Sequence, residues 1–301
     1  MAENYVKSYK RRGYGFLFQK IIEDGRYDRF LEFAVWIWVT RRWSLFNSAL
    51  IFLQRTGCVW LLPEEKWKDM GRTIKSSATP IVIMVPFGPV AFVYDLADTE
   101  GNRVPHQFQS FTDFIEPPPQ PVGEEVLRSL KNLCASLGIV YSERQMGAAQ
   151  AGEVKRLLQA KIFREGNALK NEKPKIGWFE IIINQNCNTT QKAIAVLHEL
   201  GHIFCGHFSM DKEKKKMLSF NFPDRSYEKL DEGRREWEAE KVCEIVCRIL
   251  GLQYDSSKYL SGYQCAFSGE ARDGSLRITL DAADKLIRPI DRLMGRSGPG
   301  E

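Results

Sequence analysis

No stretch of this 301-residue sequence stays apolar for anything near the roughly 20 residues that a bilayer-crossing helix requires. The longest apolar run, Phe33-Ala34-Val35-Trp36-Ile37-Trp38-Val39, falls far short, so no membrane partner is expected. An apolar signal region is missing too: Met1-Ala2-Glu3-Asn4-Tyr5 leads into Lys10-Arg11-Arg12. Nor is there a paired-cysteine framework. The seven cysteines are odd in number and scattered, as suits reduced thiols, and a cytoplasmic address is the expectation. Neither sign of charge dominates: 43 Lys and Arg against 38 Asp and Glu leave +5, which admits a polyanionic partner without requiring one. Internal repeats are absent, and histidine is scarce, with four in the whole chain. That scarcity gives weight to the two that stand four residues apart.

They close the apolar run Ala193-Ile194-Ala195-Val196-Leu197-His198-Glu199-Leu200-Gly201-His202. On an α-helix, residues four apart lie one above the other, so His198 and His202 present two imidazoles to one point. Glu199 sits on the adjacent flank. Two neutral nitrogen ligands and a carboxylate able to take a proton are what a zinc-activated water needs. Glu199 is therefore the candidate catalytic base, and His198 and His202 are candidate metal ligands. Zn²⁺ suits the set, with Mn²⁺ the alternative.

The chain has a legible division. Apolar residues recur at helical spacing from Phe16 to Val39, with a break at Glu23-Asp24-Gly25. Ser44 can cap a helix from Leu45 to Gln54. Val59 to Leu62 reads as a short strand, and Pro63 opens a helical turn that stops at Gly71. Ile81–Val85 and Val90–Tyr94 read as a β-hairpin. Phe114-Ile115-Glu116-Pro117-Pro118-Pro119-Gln120-Pro121 is a stiff linker. The expected organisation is thus α+β in two domains: 1–115, a proline-rich linker over 116–122, and 123–301. In the second, an amphipathic helix over Gly123–Leu137 ends at Gly138, and strands are expected at Ile139–Ser142 and Lys175–Asn184. Asn188 or Thr189 caps the His-Glu helix. Asp211–Lys216 reads as a charged loop, and helices follow at Gly233–Leu250, Ser256–Ala266 and Thr279–Leu293. The cysteines Cys205, Cys243 and Cys247 read as small apolar residues.

A catalytic zinc holds three protein ligands and leaves one position to water. His207 lies five residues past His202 and cannot join the site without distorting the helix. It also misses the spacing at which a metzincin places its third histidine. Glu236-Trp237-Glu238-Ala239-Glu240 offers two acids on one helical face. Glu236 is the expected third ligand. Glu240, one turn on, can accept the second N–H of a ligating histidine and fix its tautomer. Glu238 is the fallback ligand.

These residues resemble the ArdC antirestriction family over nearly the whole chain. The first half matches through Trp43-Ser44-Leu45-Phe46-Asn47-Ser48-Ala49-Leu50, Gln54-Arg55, Trp67-Lys68-Asp69-Met70-Gly71-Arg72, Ile81–Pro86 and Val93-Tyr94-Asp95-Leu96-Ala97-Asp98-Thr99-Glu100-Gly101. The second half matches through His198–His202, Glu236-x-x-Ala239-Glu240 and Leu250-Gly251-Leu252. The resemblance implies a single-stranded-DNA-binding domain followed by a zincin-like metallopeptidase domain of the gluzincin type, related to the ImmA/IrrE peptidases. It implies the same order on the acidic helix, Glu236 as ligand and Glu240 behind it. The family's lead-in before the asparagine motif is replaced here by the stretch around Trp36 and Trp38.

Residues 1–115 hold 15 Lys and Arg against 12 Asp and Glu, and 21 of the 35 aromatic residues. Single-stranded bases stack on aromatic faces while cations track phosphates. Arg41, Arg42, Trp43, Asn47, Gln54, Arg55, Trp67, Lys68, Arg72 and Lys75 are the expected DNA contacts. The reading from sequence is a metallopeptidase acting on a protein or peptide substrate and holding single-stranded DNA through its first domain. The rival is a DNA-coating antirestriction protein whose metal is only structural. The expected strand partner of an extended peptide substrate is Ile181–Asn184.

Overall fold

A computed structural model describes residues 21, 26–41, 43–58, 60–85, 90–101, 123–147, 150–163, 175–218, 220–223, 225, 230–254 and 269–295. Its contacts divide the chain into two units, Met1–Pro118 with Ser268–Arg277, and Pro119–Phe267 with Ile278–Glu301. This division differs from the sequence reading in giving Ser268–Arg277 to the first unit. The proline-rich linker itself lies outside the described residues.

In the first unit, helix α1 (Tyr27–Arg41) precedes α2 (Leu45–Gln54). Ser44 caps α2 as expected, its side chain accepting from the Asn47 N–H at 3.2 Å. The short strands β1 (Leu61–Leu62), β3 (Ile81–Ile83) and β4 (Ala91–Asp95) form an antiparallel sheet in the order β1-β4-β3. Between them come α3 (Glu64–Asp69) and β2 (Thr73–Ile74), which pairs with β5 (Thr99–Glu100). Alternation along β3 and β4 turns Ile81, Ile83 and Val93 inward, where they meet Ile51, Cys58 and Leu61. The hairpin read from sequence is present, with Ile81 opposite Val93 and Ile83 opposite Ala91.

The second unit opens with α4 (Gly123–Leu137), terminated by Gly138 at φ 71°, a left-handed position that suits a residue without Cβ. Strands β6 (Ile139–Arg144), β7 (Gly152–Phe163) and β8 (Lys175–Asn184) form a sheet in the order β6-β8-β7. β8 runs parallel to β6 and antiparallel to β7. Trp178–Asn184 are all buried, as the apolar run Ile181-Ile182-Ile183 requires of a central strand. Asn188 then caps α5 (Thr189–Phe204) in a capping box with Gln191. The acidic helix α7 (Glu232–Leu250) follows a five-residue α6 (Lys212–Lys216) and ends at Gly251. The last helix, α8 (Gly269–Leu293), belongs to the first unit up to Arg277 and to this one from Ile278.

Three sequence expectations need correction. β7 was not legible as a strand, because a register shift between Arg156 and Lys161 breaks its alternation and none of its described residues is buried. Lys212–Lys216 is helical and not a loop, with i,i+3 ion pairs from Lys214 to Asp211 and from Lys216 to Glu213. The final helix begins at Gly269, ahead of Thr279. The helix expected at Ser256–Ala266 lies outside the described residues.

Candidate metal centre

The site is made where α5 and α7 touch, and one glycine sets how closely they approach. A Cβ on Gly201 would stand 2.8 Å from the Ala239 carbonyl oxygen and 3.0 Å from its Cα. On α7, Glu236, Ala239 and Glu240 share one stripe by helical spacing, so packing Ala239 on Gly201 brings both acids to the two histidines.

The ligand atoms converge. His198 Nε2 and His202 Nε2 lie 3.1 Å apart. The Glu236 carboxylate stands 3.4 Å from the first and 3.5 Å from the second. Ligand distances of about 2.0–2.1 Å around a tetrahedral ion put neighbouring donor atoms about 3.3–3.4 Å apart. The three side chains therefore match the edges of such a site and could hold a divalent ion. Glu240 accepts from His198 Nδ1 at 3.0 Å, which leaves the His198 Nε2 lone pair directed at the centre. Tyr254 donates its hydroxyl to the other oxygen of Glu240 and holds that carboxylate in place.

The electrostatics of the metal-free site fit that arrangement. Burial opposes a charge on His198, but hydrogen bonds to Glu236 and Glu240 outweigh it and raise its pKa to about 10. Burial likewise works against the Glu236 carboxylate, and its two imidazole neighbours overcome this, holding it well below the usual range. A proton on His198 thus supplies the positive charge that a metal ion would supply. Glu199 is buried outside the triad, and burial raises its pKa against the pull of His198 and His202. Its Oε1 lies 3.4 Å from where a Cβ on Gly152 would stand, so β7 begins beside this carboxylate.

His207 has a place that spacing along a straight helix does not foresee. α5 stops at Phe204, and Gly206, at φ 74°, turns the chain back. The Gly206 N–H bonds the Ile203 carbonyl and the His207 N–H bonds the His202 carbonyl, which is a Schellman ending. His207 Nδ1 then lies 2.9 Å from His202 Nδ1, and its Nε2 lies 2.9 Å from Glu238. His207 lies outside the His198–His202–Glu236 group but touches His202. Burial pushes its pKa down to about 4 against the raising effect of Glu238. Glu238 is corrected as a fallback ligand: it is fully buried and bound by Arg225, Arg234 and His207. The sequence signal for this arrangement is the Gly206-His207 pair, since a left-handed glycine reverses the chain.

The first-unit residues expected to touch DNA divide sharply. Trp67 is fully buried and donates its indole N–H to the Tyr94 carbonyl at 2.9 Å, so it offers no face to a base. Arg72 is buried and bonds Thr99 through both its Oγ1 and its carbonyl. Asn47 and Gln54, two turns apart on α2, each make a pair of amide hydrogen bonds with the backbone of Met84 and Val82. They satisfy the outer edge of β3, which would otherwise be open. Arg55 pairs with Asp98 at 2.5 Å, and Lys75 donates to the Ala97 carbonyl. These are scaffold roles; burial corrects the reading of Trp67 and Arg72 as contacts, while Asn47 and Gln54 are half-buried at the sheet edge. Trp43 is half-buried against the core, and Lys68 is exposed in a pair with Glu64. The side chains of Arg41 and Arg42 lie outside the described residues. Ile181–Asn184 is corrected as well: this strand has β6 on one edge and β7 on the other, so no peptide can add there.

No protein-family model matches the sequence, and no curated protein matches it. Among solved structures the chain is similar to the crystal structure of the antirestriction ArdC protein from the R388 plasmid, in its metal-free form. The two are 14% identical, the match covers 84% of each chain, and the TM-score is 0.36. No helix of the described residues is long and apolar enough to cross a membrane.

Proposed function

We propose that this chain is a metal-dependent peptide-bond hydrolase whose centre is His198, His202 and Glu236, with Glu199 as general base. The observation that carries the reading is the convergence of two imidazole Nε2 atoms and one carboxylate at tetrahedral spacing, beside a buried acid that does not belong to the triad. A Zn²⁺ ion there, with Mn²⁺ the alternative, would supply Lewis acidity toward a scissile carbonyl and its attacking water. Glu199 takes a proton from that water and returns it to the leaving amine, a task served by a pKa that burial raises. Among the described residues β7 pairs on one side only, and its Gly152 end adjoins Glu199. An extended peptide lying along the other edge of β7 brings its backbone past the base. The protein stripped with a chelator, then restored with Zn²⁺, is expected to lose and regain the ability to create new N-termini in a host lysate. Equal processing by the stripped protein would end the hydrolase reading.

A second activity, single-strand binding by the first unit, draws on the motif order shared with the ArdC family. One structural observation favours it: Phe92 on β4 is 41% exposed, on the same strand face as half-buried Tyr94. Bases would stack on this aromatic face, and not on Trp67, while exposed Lys66 and Lys68 meet phosphates. Loss of one stacking platform costs about 1–3 kcal/mol per base. Phe92→Ala in the full chain is therefore expected to weaken a fluorescent oligonucleotide at least fivefold at low salt. Unchanged affinity would remove Phe92 from the interface. The rival in which the metal is only structural predicts full antirestriction function from a Glu199→Gln chain.

A further inference from the structure

We propose that His207 is a positioning residue that decides which nitrogen of His202 is left bare for the metal. The proposal rests on the metal-centre reading above and adds a residue outside the ligand set. Glu238 has a fully buried carboxylate that takes hydrogen bonds from Arg225 and Arg234. A carboxylate held by two guanidinium groups is an acceptor with no proton to offer. His207 Nε2, 2.9 Å away, must therefore carry the hydrogen.

Arg225 and Arg234 already bring two positive charges to the single Glu238 carboxylate, which leaves no counter-charge for a third, so the His207 ring is the uncharged form, with Nε2–H and a bare Nδ1. It lies 2.9 Å from His202 Nδ1. Two lone pairs at that distance repel, and the contact is favourable only when His202 Nδ1 donates. His202 Nε2 is then bare, and this is the atom 3.1 Å from His198 Nε2 and 3.5 Å from Glu236. The two ligating histidines are thus oriented by different means. His198 donates directly to a carboxylate, Glu240, whereas His202 donates to an imidazole that is itself directed by Glu238. The intervening ring passes on direction without adding another negative charge to a centre that already has Glu236, Glu240 and Glu199. It also keeps the arginine-bound carboxylate one ring away from the ion. Gly206 makes the arrangement possible by turning His207 back over the last turn of α5.

The test is made on the full chain. With ¹⁵N-histidine labelling, long-range proton–nitrogen correlation distinguishes the two tautomers of each of the four histidines. The zinc-loaded protein should show His202 as the Nδ1–H form and His207 as the Nε2–H form. An Nδ1–H His207 would overturn the proposal. Zinc affinity by chelator competition gives a second reading. His207→Phe should weaken zinc about 10–100-fold, the usual cost of losing such a partner. His207→Asn, whose amide oxygen can take the place of Nδ1 as acceptor, should recover most of that loss. Wild-type affinity in His207→Phe, or equal losses in both variants, would assign the ring to packing alone and sink the idea. If the wild type takes no zinc, the metal-centre reading fails by itself, and the tautomer of His207 in the metal-free protein still decides the proposal.

Discussion

Glu199→Gln is expected to leave metal content at the wild-type level while lowering kcat/KM for peptide hydrolysis by about 10²–10⁴, the usual worth of a positioned acid–base group. The donor atoms that converge are His198 Nε2, His202 Nε2 and a Glu236 oxygen, and Glu199 is not among them. Gln has the same size as Glu, keeps a hydrogen-bonding head in the buried space beside Gly152, and cannot accept a proton. Burial outweighs the pull of His198 and His202 on Glu199, so a neutral head group suits this position. Glu236→Gln is the informative contrast. It removes the charge from a donor atom, so zinc content should fall with activity. Both are read by metal analysis of the purified protein alongside cleavage of a peptide library. A Glu199→Gln chain that cleaves at the wild-type rate would show that the base is some other group, and one that loses its zinc would make Glu199 part of the binding set.

The separation of these roles was open to sequence reasoning because helical spacing is a strong constraint. His198 and His202 at i,i+4 had to share a face, and Glu236 and Glu240 at i,i+4 had to share another. A capping signal located the first of the helices that carry them, with Asn188 before α5, and the acidic helix ends at Leu250 as expected. What spacing could not supply was the chain reversal at Gly206, since a periodic reading runs past the helix end and carries His207 away from the site. β7 was invisible for a related reason. An edge strand with a bulge and no buried side chain lacks the alternation that marks a strand. The first unit erred in the opposite direction. Asn47, Gln54, Trp67 and Arg72 form a motif whose residue types suit nucleic acid, yet each is bound to the backbone or side chains of its own unit. Polar residues that close a sheet edge and those that hold a ligand look alike in a sequence; only burial and partners tell them apart. Phe92, whose ring is open, sits in a strand with no motif to single it out.

Raising the pH from 6.5 to 8.5 is expected to tighten zinc binding by close to tenfold per pH unit. His198 in the metal-free protein has its pKa raised to about 10, so over this range it carries a proton that the ion must displace. One proton released per ion bound gives that slope, and the slope should flatten only as the pH approaches 10. His207 does not add to it, because its pKa is lowered to about 4 and it is already uncharged at pH 6.5. The same two groups predict how the metal-free fold responds to pH. For His198, with its folded pKa raised above 6.5, the stabilisation is fully present below pH 6.5 and is lost as pH rises toward 10. For His207, with its folded pKa lowered, the stabilisation is present above pH 6.5 and is lost as pH falls toward 4. The chelated protein should therefore unfold at its highest temperature near pH 6.5 and lose stability on both sides. Zinc-loaded protein should lack the alkaline fall, since the ion has replaced the proton whose loss causes it. Thermal unfolding with and without zinc at pH 5, 6.5 and 9 checks both limbs. A zinc affinity that does not change between pH 6.5 and 8.5 would mean that no proton stands in for the ion, and the charge balance assigned to His198, Glu236 and Glu240 would have to be abandoned.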